Sequence, residues 1–163
     1  IYLGLTAVCI LGLVVLGMPL FEAVCHAFAT LSTGGFSVYN ASIAHYRSPA
    51  IEWWIILFML LGAVSFMLYA WLLARRWNKW HQDEETRFYL GFLALITALI
   101  TGSLLYHQQA GGLSDAVRTA AFQVVSLSTT TGFVTADYDQ WSNFTKILLI
   151  AVMFVGGCAG ATA

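Results

Sequence analysis

Two stretches of this 163-residue chain carry hydroxyl and glycine residues at matched spacing. Ser32-Thr33-Gly34-Gly35-Phe36 and Thr129-Thr130-Thr131-Gly132-Phe133 share Thr-x-Gly-Phe in register at an offset of 97 residues. Backbone carbonyls and Thr hydroxyls are hard oxygen ligands, the kind that replace water around a dehydrated alkali cation. Glycine supplies the permissive dihedrals that turn consecutive carbonyls to one side. Gly35 and Gly132 are the candidates for that role. Ser32, Thr33, Gly34, Thr129, Thr130 and Thr131 complete the candidate set of oxygen donors. Competing chemistry is thin. His26 beside Cys25 makes a poor metal site, and Cys9, Cys25 and Cys158 lack any CxxC spacing. No His or Glu near either segment stands on a common face to act as a base, so an enzyme is not expected.

The elements that must hold these segments are apolar. The chain is 60% hydrophobic and 9% charged, where a soluble domain carries roughly 25% charged residues. Its mean hydropathy is +0.78. Trp53 to Ala74 runs 22 residues without a charge, about 33 Å as helix, enough for a hydrocarbon core of roughly 30 Å. Phe88 to Tyr106 and 144–163 are further expected spans, and Tyr2 to Met18 is a fourth. Residues 19–31 and 114–127 are too short to cross and read as buried or re-entrant helices. The second opens with Ser114-Asp115, a good N-cap pair.

The order is therefore span, short helix, Thr/Gly segment, span, and it occurs twice. Residues 1–75 form one unit (short helix 19–31, filter 32–37, span 53–74), 76–87 a connection, and 88–163 a second, truncated unit (span 88–106, short helix 114–127, filter 128–134). The same offset sets His26 opposite Gln123 and Asn40 opposite Asp137. Four of the seven Lys/Arg lie in one connection (Arg75, Arg76, Lys79, Arg87), which the positive-inside bias makes cytoplasmic. Both Thr/Gly segments then enter from the outer side. Irregular backbone at membrane depth is tolerated where it lines a cavity or is buried in protein. The C-terminal ends of the two short helices, each carrying roughly half a negative charge, would favour a cation. Asp137 and Asp139 are either cation-concentrating residues at the mouth or an ordinary solvated loop. Arg118 reads as an interfacial anchor or the partner of an acid. Both ends of the chain lie inside apolar runs, so it reads as part of a longer membrane protein.

These residues resemble the Trk/Ktr/HKT superfamily of potassium transporters, and within it the bacterial TrkH type. The matching text is Phe28-Ala29-Thr30-Leu31-Ser32-Thr33-Gly34-Gly35-Phe36-Ser37, then Ser126-Leu127-Ser128-Thr129-Thr130-Thr131-Gly132-Phe133, then 153–163 with Gly156, Gly157 and Gly160. The resemblance implies an all-α integral membrane fold of repeated span–pore helix–filter strand–span units, K⁺-channel-like, pseudo-fourfold in the complete chain. It implies K⁺ as the transported ion, with no organic cofactor and no nucleic-acid partner. It also implies a homodimer in the bacterial inner membrane and a cytosolic nucleotide-binding regulatory subunit. Gly156, Gly157 and Gly160 would form a gate below the filter; read by spacing alone, Gly156 and Gly160 are a GxxxG packing motif. An ion-coupled secondary transporter with broken helices and a non-conducting membrane subunit are the alternatives.

Overall fold

The computed structural model describes residues 2–63 and 84–154, with side chains of the second stretch from Thr86 onward. The later part of the expected span 53–74, most of the connection 76–87 and the gate candidates Gly156, Gly157 and Gly160 lie outside the described residues.

Among the described residues the chain is helical throughout, with no β-strand. Helix α1 (Tyr2–Val15) carries no charge and buries Thr6, Cys9 and Leu13. Leu3, Leu11 and Val15 face outward at 82, 64 and 85% exposure. Small or polar Thr6 and Cys9 inside, with leucine and valine outside, suit a lipid surround. The helix stops short of Met18 because Gly17 adopts φ +97°. The Gly17 N–H then bonds the Val14 carbonyl, and the Met18 N–H the Leu13 carbonyl, which closes a Schellman cap.

Pro19 sets the start of α2 (Leu20–Leu31), which runs into the first Thr/Gly segment. A 3₁₀ turn at Ser42–Tyr46 follows, and then α3, described over Pro49–Ala63 with proline in its first turn. The second half repeats that order. Helix α4, described over Glu84–Tyr106, already includes residues ahead of the apolar run at Phe88, because a charged Glu-Glu-Thr-Arg stretch is compatible with helix. Its Thr86–Tyr106 portion is long and apolar enough to cross a bilayer. Helix α5 (Leu113–Ser128) leads into the second Thr/Gly segment. Helix α6, described over Asn143–Met153, is N-capped by Ser142, whose hydroxyl accepts from the Thr145 N–H at 3.3 Å.

Helix α5 sits centrally, packed on α3, α4 and α6, while α2 packs on α1 and α3. Inside a bilayer, helix association rests on close packing and interhelical hydrogen bonds, because lipid is as apolar as leucine. Both occur here. Gly12 of α1 lets Trp54 of α3 approach so closely that an added Cβ would meet its ring at 2.1 Å. The Trp54 indole N–H in turn donates to the Cys9 carbonyl at 3.2 Å. The hydroxyls of Ser103, Ser142 and Thr145 interconnect α4 and α6 at 2.9 to 3.1 Å. Trp141, which ends the short 3₁₀ turn Tyr138–Gln140 ahead of α6, is buried.

Candidate ion-filter site

Each Thr/Gly segment continues directly from its short helix, and the two leave by the same hydrogen bonds. The Ser32 N–H reaches the Phe28 carbonyl, and the Thr33 N–H that of Thr30; Thr129 and Thr130 reach Val125 and Leu127, the positions 97 residues on. Gly35 and Gly132 donate back to Ala29 and Ser126, again equivalent. Thr33 and Gly35 lie at φ +53° and +63°, Thr130 and Gly132 at +56° and +82°. The residues between, Gly34 and Thr131, are not left-handed. In an ordinary strand successive carbonyls point to opposite faces; reversing the hand of every second residue brings them toward a common side. A β-branched residue at positive φ is a genuine outlier, costing on the order of 1–3 kcal/mol. Here it occurs at both copies of one position.

The two segments touch. A Cβ on Gly35 would lie 1.8 Å from the Thr131 carbonyl oxygen, so only glycine allows the neighbouring carbonyl its place. Among the described residues Gly132 meets nothing within 4 Å in the corresponding direction. The hydroxyls are otherwise occupied. Those of Thr129 and Thr131 are buried and bond one another at 2.8 Å, and that of Thr33 donates to the Ser32 carbonyl at 2.8 Å. Ser32, Gly34, Thr130 and Gly132 are exposed. Of the candidate set, the structure brings Gly35 and Thr131 together and turns the Thr129 and Thr131 hydroxyls into protein, leaving carbonyls as the oxygens those two can offer.

Behind the first segment lies a polar cluster that sequence reasoning did not assemble. Glu22 of α2 accepts hydrogen bonds from the Tyr39 and Tyr46 hydroxyls at 2.8 and 2.6 Å. Those two bonds, Tyr46's the larger effect, hold its carboxyl below the usual range. His26, fully buried, bonds the Glu22 carbonyl through Nδ1 at 2.7 Å and the Ser37 hydroxyl through Nε2 at 2.9 Å. The one available signal was the offset that set His26 opposite Gln123. Gln123 is also fully buried, and its amide oxygen accepts from the N–H groups of Thr135 and Ala136 at 3.0 and 3.3 Å.

The halves are joined around this site. The Ala44 N–H donates to the Val134 carbonyl, and the Val134 N–H to the Ser42 hydroxyl. Arg118 Nε of α5 pairs with Glu52 of α3 at 2.8 Å, and its NH2 group with Asp115. Arg118 is thus the partner of acids. Asp137 accepts from the Asp139 N–H and from Gln140, folding its own loop. Among the described residues no cluster of three His, Cys, Asp or Glu side chains forms a metal site.

Apolar helices packed around two equivalent glycine-bearing loops are the architecture of an all-helical membrane protein. The TrkH family, described as cation transport proteins, matches residues 1–163. The chain belongs to that family. It is 41% identical over 164 residues to the Trk system potassium uptake protein TrkH of Halomonas elongata, covering 99% of this chain and 34% of that protein. Against the protein of the same name from Escherichia coli K12 the identity is 38% over 163 residues, again 34% of its length. The crystal structure of the potassium transporter TrkH from Vibrio parahaemolyticus superposes with a TM-score of 0.92 at 36% identity, covering 99% of this chain and 35% of that one. The chain spans about a third of the length of these relatives.

Proposed function

We propose that this chain supplies two successive filter segments of a potassium uptake pore, with K⁺ as the transported ion. The observation that carries the reading is the doubled left-handed pair, Thr33/Gly35 and Thr130/Gly132, with the first glycine pressed on the carbonyl that precedes the second. A cation passing there would exchange water for backbone carbonyls of Ser32 to Gly35 and Thr129 to Gly132. The short-helix ends behind them would add favourable potential.

Two exposed faces support a larger ring. Phe133 is 1% exposed and lies against His26 of the preceding unit at 5.9 Å between ring centroids. Its equivalent Phe36 is 82% exposed. Among the described residues Gly132 likewise lacks the neighbour that Gly35 has. One flank thus awaits a preceding unit and the other a following one, as head-to-tail contacts in a closed ring require. We read the complete assembly as pseudo-fourfold, with filters facing outside the bacterial inner membrane and 75–87 cytoplasmic. The resemblance adds a gate at Gly156, Gly157 and Gly160, a homodimer and a cytosolic nucleotide-binding regulatory subunit.

The test is flux through the full-length protein in liposomes. Uncoupled, voltage-driven K⁺ entry is expected. Strict dependence on a proton or sodium gradient would return the chain to the coupled-transporter reading.

A further inference from the structure

The segment leaving the first filter is tied down by a directional chain of hydrogen bonds. A carbonyl only accepts, so His26 Nδ1 carries the proton toward the Glu22 carbonyl, and Nε2 is the acceptor of the Ser37 hydroxyl. The Ser37 hydroxyl in turn accepts from the Tyr39 N–H at 3.2 Å. The chain runs in one sense, from Tyr39 N–H through Ser37 and His26 to Glu22. In the second unit the position equivalent to Tyr39 is Ala136, and its N–H is held directly by Gln123. The same backbone amide is thus fixed in both units, by an imidazole relay in one and a carboxamide in the other.

His26 also reaches the second segment, because the Phe133 ring, adjacent to Gly132, rests against it. Tyr46 also meets it edge-on at 5.6 Å. A side chain with no exposed surface that touches both filter segments governs their relative position. We propose that His26 is a positioning residue for the filter, aligning the first segment through Ser37 and the second through Phe133, and that its neutral Nδ1–H form is the one that does so. The inference rests on the filter reading above.

Protonation would reverse the relay. A second ring proton at Nε2 displaces the Ser37 hydroxyl proton, which then has to find a new acceptor. Burial disfavours the imidazolium and holds the ring below its ordinary titration range. The titratable groups around it are Glu22 and Cys25 on α2, and Tyr39, His45 and Tyr46 in the loop that follows. The filter should therefore keep its alignment at neutral pH and lose it on acidification.

The experiment compares His26→Gln, His26→Leu and Ser37→Ala in the full-length protein, reading K⁺/Na⁺ discrimination and the KM for K⁺ between pH 5 and 8. Copying the second unit, H26Q should keep discrimination at neutral pH and abolish the rise in KM expected of the parent on acidification. H26L and S37A should each lower discrimination by roughly fivefold, the weight of one net hydrogen bond. S37A removes a single half-buried hydroxyl, so it reports even if H26L fails to fold. Wild-type discrimination in S37A, or a parent KM that is flat with pH, would overturn the proposal. Gly35→Ala serves as the control. If it too leaves discrimination unchanged, the filter reading fails; if it alone changes it, only the role of His26 does.

Discussion

A β-branched threonine held at positive φ is costly, and the chain keeps one at both Thr33 and Thr130. The spacing of Thr-x-Gly-Phe is legible in the sequence, because glycine types and offsets are. The left-handed threonines are not, since local preference argues against them; they follow from the bonds of Ser32 and Gly35 back into α2. The fate of the hydroxyls was also illegible. Whether Thr129 faces a pore or Thr131 depends on backbone hand, and the structure turns it to Thr131. Glu22 gives a prediction at this scale. Its carboxyl is held below the ordinary value of 4.5 by the Tyr46 and Tyr39 hydroxyls. Stability from those bonds is therefore present above that value and lost as pH falls through the lowered one. Glu22→Gln should melt below the parent at neutral pH and converge with it in acid, as thermal unfolding across pH would read. Equal midpoints at neutral pH would remove the carboxylate from the network.

At the scale of elements, helical character was readable from charge-free length, whereas the Ser114-Asp115 cap expected for α5 lies inside its first turn, with Gly112 at the N-cap and Asp115 accepting from the Gly111 N–H. What that length could not give was where helices end for reasons of cap geometry, as α1 does at Gly17, or that helix extends into charged residues, as α4 does over Glu84 to Arg87. Nor could it show which residues let helices meet. Gly12 looked like any apolar-helix glycine until Trp54 lay across it. Gly12→Ala should cost about 1–3 kcal/mol by overpacking, seen as a lower melting temperature in detergent; an unchanged midpoint would mean that Trp54 moves aside freely. Glu52 sits between elements too, joining α3 to Arg118 of α5 across the two units. Arg118 keeps Asp115 when Glu52 is neutralised. Glu52→Gln should therefore destabilise by about 1–3 kcal/mol, less than the ~3–5 kcal/mol of an orphaned buried charge. Denaturant titration separates the two.

At the scale of the whole molecule, the described residues leave the two units with unlike flanks: Phe36 stands open on one and Gly132 on the other. The repeat was visible in sequence as an offset. Its geometry was not, because contacts such as Phe133 on His26 and Gly35 on Thr131 cross between units that sequence reads separately. Ring closure predicts that Phe36→Cys and Phe133→Cys in the full-length protein are equally slow to react with a maleimide. Fast labelling at Phe36 alone would contradict ring closure.

The central claim is that Gly35 and Gly132 keep carbonyls in place around a dehydrated cation. It is tested most directly by the K⁺/Na⁺ permeability ratio of the full-length protein in liposomes, measured for Gly35→Ala and Gly132→Ala. A shift of about 1.4 kcal/mol in relative ion binding is tenfold, and displacing the Thr131 carbonyl that lies 1.8 Å from the new Cβ of Gly35→Ala predicts a fall of at least about that size. Permeability ratios unchanged from wild type in both variants would contradict the account.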